Sequence, residues 1–86
     1  MSSIQDVLNQ LEFTAKLYRK ALEGTHPYKP AIELYQAFLE IKARAENQLM
    51  LAAERGESVL MQRLLLIRIA DEVGGLERAA QIRQSP

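Results

Sequence analysis

The side chains able to do chemistry in this chain are few, and their spacing does not assemble them. One imidazole, His26, lies in the segment Gly24-Thr25-His26-Pro27-Tyr28-Lys29-Pro30. A general base needs a neighbour to orient it and a pocket to hold substrate. The flanking residues supply neither, so His26 reads as a structural turn residue. Asp71 and Glu72 are adjacent, and adjacent helical side chains point about 100° apart, so they do not make an acid–base pair by themselves. Glu33 and Glu40 share a helical face, but it is the solvated one. Cysteine is absent, which removes thiol catalysis, thiolate metal sites and disulfides. One histidine does not provide a multi-histidine metal site or leave an imidazole to spare for a Ser-His-Asp triad. Gly74-Gly75 is too short for a phosphate-cradling loop. The expectation is a protein that is not an enzyme and takes no cofactor and no metal.

Composition narrows the alternatives. With 86 residues the chain makes one domain, 1–86, near the lower limit for a self-sufficient core. Eleven basic side chains balance eleven acidic ones. The basic excess that displaces counterions from nucleic acid is therefore missing, as is a polybasic membrane anchor. At 48% apolar the chain is too hydrophobic for a disordered tail. No apolar run reaches the roughly 18 residues needed to cross a bilayer. Met1-Ser2-Ser3-Ile4-Gln5-Asp6 has no positive charge and no apolar stretch after it, so no signal peptide is expected and the expected location is cytoplasmic.

The positioning elements are helices. The first is expected over about 4–23. Ser2 or Ser3 can cap it, each with Gln5 or Asp6 three residues on. Ile4, Leu8, Leu11, Ala15, Tyr18 and Leu22 alternate four and three, a heptad seam widened by Val7, and Gly24 suits the position after the last turn. Two prolines then break the helix, and the short connection predicts that the second helix folds back antiparallel. That helix is expected over about 30–55 with Pro30 at its first position. Ala31, Tyr35, Phe38, Lys42, Ala45, Leu49 and Ala52 form its seam, flanked by Leu34, Leu39 and Ala53. Glu40-Arg44 is an i,i+4 pair with the acid first. Lys42 falls inside the apolar stripe, where its stem packs and its ammonium reaches out to water or to a carboxylate on another element. Tyr18 and Tyr35 are placed to close the hairpin. Leu51 stands alone on the polar face.

Gly56 marks the next boundary, either as a break or as a kink in one long helix, since a helical glycine costs only about 1 kcal/mol; with a break, Ser58 can cap a third helix over about 59–73. That segment is apolar most of the way round, and a helix apolar all round is buried all round. Two amphipathic helices and a short tail can hardly enclose it, so part of its surface is expected to meet another polypeptide. Gly74-Gly75 is expected to end it, with a short fourth helix over about 76–84 and fraying at Ser85-Pro86. Phe13 and Leu17 lie an i,i+4 step apart, away from the first seam, and form a minimal docking stripe.

Ile69-Ala70-Asp71-Glu72-Val73-Gly74-Gly75-Leu76-Glu77-Arg78-Ala79-Ala80 resembles the front half of a helix-turn-helix, which would imply a DNA-binding regulator. Only about ten residues follow the turn, without a basic cluster. The same stretch is similar to the helix-turn-helix of a tetratricopeptide repeat, and Ala31-Ile32-Glu33-Leu34-Tyr35-Gln36 resembles the second helix of one, but the two do not keep that family's 34-residue period. Ala21-Leu22, Pro27-Tyr28-Lys29-Pro30, Tyr35-Gln36 and Leu39 resemble the helix-PxxP-helix hairpin of type III secretion needle subunits, where the Tyr-Gln pair falls one position later. Leu60-Met61-Gln62, Leu66-Ile67-Arg68-Ile69 and Glu72 look like the C-terminal helix of the inner-rod subunits of that machine. These resemblances, over about half the chain, would imply an assembly subunit or its small helical chaperone.

The fold expected is therefore all-α: an antiparallel helical hairpin, a third, strongly apolar helix and a short C-terminal helix. The expected function is protein–protein interaction, as adaptor, assembly subunit or chaperone, with the core completed by self-association into a homo-oligomer or by a protein partner. Phe13, Leu17, Leu60, Met61, Leu64 and Leu65 are the candidate contact residues, and Leu64→Glu is expected to disrupt folding or assembly.

Overall fold

The structure is a computed structural model that describes residues 3–24 and 29–84. The segment 25–28 with His26, the alternative cap Ser2, and Ser85-Pro86 lie outside the described residues. Those described form three α-helices and no strand: α1 (Ile4–Leu22), α2 (Ala31–Glu54) and α3 (Leu60–Gln84).

Local chemistry sets most helix ends. At the start of α1, Ser3 Oγ accepts from the Asp6 N–H at 3.1 Å, and the Asp6 carboxylate accepts from the Ser3 N–H at 3.3 Å. This reciprocal box satisfies two backbone donors that the helix itself leaves free. α1 ends at Glu23, followed by Gly24 at φ +79°, a conformation that costs glycine little and other residues much. α2 also ends at a glycine. The Gly56 N–H donates to the Ala53 carbonyl at 3.0 Å, the Glu57 N–H donates to the Ala52 carbonyl at 3.0 Å, and Gly56 sits at φ +82°. That is a Schellman stop, so Gly56 ends the helix and does not merely kink it.

Three helix boundaries differ from expectation. Pro30 is the N-cap of α2, with extended backbone at ψ 152°, and not its first helical residue. Val59, and not Ser58, directly precedes α3, its carbonyl accepting from the Arg63 N–H at 2.9 Å. The largest difference is at Gly74-Gly75. The helix expected to stop there runs on to Gln84, so no separate fourth helix exists. Neither glycine takes positive φ. Two helical glycines cost about 1 kcal/mol each. Leu76 beyond them packs on the core, and Ala80 lines a hollow with Tyr18, Leu22, Ala31 and Tyr35. Tertiary packing therefore holds the last turns in helical form against local propensity.

The core is built from all three helices. Val7, Leu8, Leu11, Ala15 and Tyr18 of α1 meet Leu34, Phe38, Ala45, Leu49 and Ala52 of α2 and Leu66, Ile69 and Val73 of α3, with Val59 beside them. Phe38, Leu8, Leu11, Val7 and Val73 are the largest side chains with almost no exposure. On α2 the buried face is the expected seam, with Phe38, Ala45, Leu49 and Ala52 buried and Ala31, Tyr35 and Lys42 half-buried, and only its flanks differ. Leu34 is buried and Ile41 half-buried, while Leu39 and Ala53 are exposed. Thr14, the one buried polar residue among those described, donates its hydroxyl to the Gln10 carbonyl at 2.8 Å.

Contacts at the helix ends relate the three elements. The Tyr18 and Tyr35 rings lie 5.5 Å apart at 36°. At the opposite end, Ser3, Ile4 and Gln5 line a hollow with Gln48, Leu51 and Arg55. Along α3, Gln5 lies by Met61 and Leu65, and Arg19 reaches Glu72 at 3.3 Å. This ion pair is about half exposed, so it contributes at most about 1 kcal/mol. α3 packs more closely on α1 than on α2.

Candidate functional site: an apolar face along α2 and α3

Among the described residues, no polar constellation for catalysis is drawn together. Asp71 and Glu72 are both exposed, and Glu72 is engaged by Arg19. Glu33 and Glu40 are exposed on α2. Among the described residues, no group of three or more His, Asp or Glu side chains could hold a metal ion. The Glu40-Arg44 pair does not close. Lys42 instead donates to Glu46 at 3.1 Å, a carboxylate on its own helix and not on another element. Tyr18 is buried, and its phenol pKa is raised above the usual 10.0 by burial first, then by the Glu77 carboxylate and Tyr35. A phenol held protonated in this way is a packing group with one polar end.

The six expected contact residues fall into two groups. Leu60, Met61, Leu64 and Phe13 are exposed by 64%, 74%, 52% and 62%. Leu17 and Leu65 are half-buried and pack against the core. Leu17 thus belongs mainly to the fold, which leaves Phe13 without the i,i+4 partner that made it a stripe. Phe13 stands alone, about 200° round α1 from buried Leu11. Met61, Leu64 and Leu65 are brought together with Gln5 in one hollow. α3 is not buried all round. It turns Leu66, Ile69 and Val73 inward and leaves Leu60, Leu64 and Ile67 exposed.

An open apolar groove lies between α2 and α3. It holds about 520 Å³ and is lined by Leu49, Met50 and Ala53 from α2 and by Leu66 and Ile67 from α3, with Glu46 and Glu54 on one rim and Arg63 on the other. Met50 and Ile67 are each about half exposed. Ile32, Leu39, Ala43, Met50 and Ala53 follow each other at spacings of seven, four, seven and three, which places them along one side of α2. All five are exposed. Scattered surface hydrophobes need no explanation. A row of them beside a second row on the neighbouring helix does, because contiguous apolar patches mark contact surfaces.

Met50 and Ile67 were not among the expected contact residues. The spacing of the α2 row is readable in the sequence as a second stripe beside the seam. The groove that unites it with Ile67 depends on how far α2 and α3 stand apart, which spacing does not reveal. The helix-turn-helix resemblance required a turn at Gly74-Gly75, where the chain is continuous helix. Among the described residues, no helix is long and apolar enough to cross a membrane. Comparison with protein-family models, curated proteins and solved structures finds no match to this chain.

Proposed function

We propose that this chain is a non-enzymatic helical interaction module, an adaptor, assembly subunit or chaperone, whose apolar core is completed by another polypeptide surface. In this reading α1 and α2 form an antiparallel hairpin, α3 lies along it, and the side of the molecule shared by α2 and α3 is the contact face. The observation that carries the reading is the exposure of Met50 and Ile67 on neighbouring helices around one open groove. Burying apolar area there contributes about 25 cal/mol per Å². The resemblance to needle and inner-rod subunits falls in the same class, that of small helical assembly proteins.

The test is a photo-crosslinking side chain placed at Ile67 and, as a control, at Glu40 on the polar side of α2, with the full chain expressed in its source cells. The expected result is discrete adducts from position 67 and none from position 40. Equal labelling from both positions, or none from position 67, refutes the reading.

A further inference from the structure

The α2–α3 face carries both signs of charge in a fixed arrangement. Glu46 and Glu54 lie on the α2 rim of the groove and Arg63 on the α3 rim. Glu46 is engaged by Lys42 within α2. The Glu54 and Arg63 side chains have no ion-pair or hydrogen-bond partner among the described residues, although they line the same groove. A surface with acid on one side, base on the other and an apolar strip between is complementary to itself. A two-fold axis running along the helices in the plane of the face lays α2 of one copy over α3 of the other at an unchanged level. Glu54 then meets the second copy's Arg63, and Met50 meets its Ile67. The arrangement occurs twice, as a two-fold interface requires.

The exposed area agrees with this occupant. The chain exposes 6030 Å², whereas a folded monomer of 9.8 kDa exposes roughly 5,200 Å². The chain therefore leaves more surface open than a compact monomer of its mass. The described shape, 49 × 24 × 16 Å, is long and thin, which leaves a broad side for a second layer.

We infer that the occupant of the α2–α3 face is a second copy of this chain, bound face to face about a two-fold axis parallel to the helices, with Met50 and Ile67 at its centre and Glu54–Arg63 pairs at its edges. This rests on the interaction-module reading and names its partner.

The test is sedimentation equilibrium of the full chain over a concentration series. Wild type is expected at twice its 9.8 kDa mass. Ile67→Glu is expected to weaken association by about thirtyfold or more, as for a central interface residue, with helicity by circular dichroism unchanged. Arg63→Glu and Glu54→Arg each place like charges across the interface and are expected to weaken it when alone. An equimolar mixture of the two restores both opposite-charge pairs and is expected to recover the dimer. A variant that loses helicity would be replaced in the comparison by the charge pair, whose residues are exposed. A mixture that does not recover overturns the proposed geometry. A wild-type monomer whose position 67 still crosslinks to a different polypeptide overturns the second copy and leaves the interaction reading standing. A monomer with no adduct removes both.

Discussion

Gly75→Ala separates the continuous third helix from the expected turn. In the structure Gly75 is helical, lacks positive φ, and has nothing within 4 Å of the place a Cβ would occupy. Alanine there should therefore gain the helix-propensity difference in full, about 1 kcal/mol, through the reduced freedom of the unfolded chain. For a domain of this size that is a rise in melting temperature of roughly 4–8 °C. Gly74→Ala meets only the Arg78 guanidinium, at an ordinary 3.6 Å, and should add a similar amount. Gly56→Ala is the internal control. It also has open space around it but sits at φ +82°, so it should destabilise by about 1 kcal/mol. The assay is thermal and urea unfolding of the variants at one protein concentration, followed by circular dichroism. If Gly75→Ala lowers stability as Gly56→Ala does, Gly75 occupies a turn, and the single α3 on which the site is built is wrong.

Two further outcomes follow from the core. Phe38→Ala empties the largest fully buried position and should cost about 3–5 kcal/mol, much of what so small a domain has, so urea denaturation should show a strongly lowered midpoint or no folded baseline. A Phe38→Ala chain as stable as wild type would contradict the core assignment. Tyr18 supplies a pH dependence. Its folded pKa lies above the usual 10.0 because burial disfavours the phenolate. The folded state therefore keeps its proton where the unfolded state begins to lose it, so this contribution is intact below pH 10 and lost as pH rises through the raised value. Tyr18→Phe should reduce the alkaline loss of stability measured between about pH 9 and 11, and an unchanged alkaline profile would show that Tyr18 is not the group responsible.

Helix ends and cores differ in how far local sequence exposes them. The Ser3–Asp6 box, Gly24 and Gly56 act through bonds within a few residues, so they are legible in the chain. The inward face of α1 is legible too, because its seam is the one strong apolar period there. α2 has two rows of apolar residues side by side. The row with Leu34, Phe38, Ala45 and Leu49 goes inward and the row with Ile32, Leu39 and Met50 stays out. The inward row keeps the expected seam at Phe38, Ala45 and Leu49, and what the neighbouring helices decide is its flank, with Leu34 taken in and Leu39 left out. Gly74-Gly75 misleads because its propensity cost of about 2 kcal/mol is smaller than the packing held by Leu76 and the turns beyond it. Leu17 and Leu65 read as surface hydrophobes but pack on the core, whereas Met50 and Ile67 acquire meaning only from the groove they share.

The most direct test of the central claim, that a second copy covers the α2–α3 face, is a dilution series of the full chain with methyl-labelled methionine and isoleucine, followed by NMR. The Met50 and Ile67 methyl signals should shift or broaden with concentration, while Ile4, at the α1 end, and half-buried Ile41 stay fixed. Met50 and Ile67 signals that keep their positions from the lowest to the highest concentration, in a chain that sediments as a monomer throughout, would contradict it.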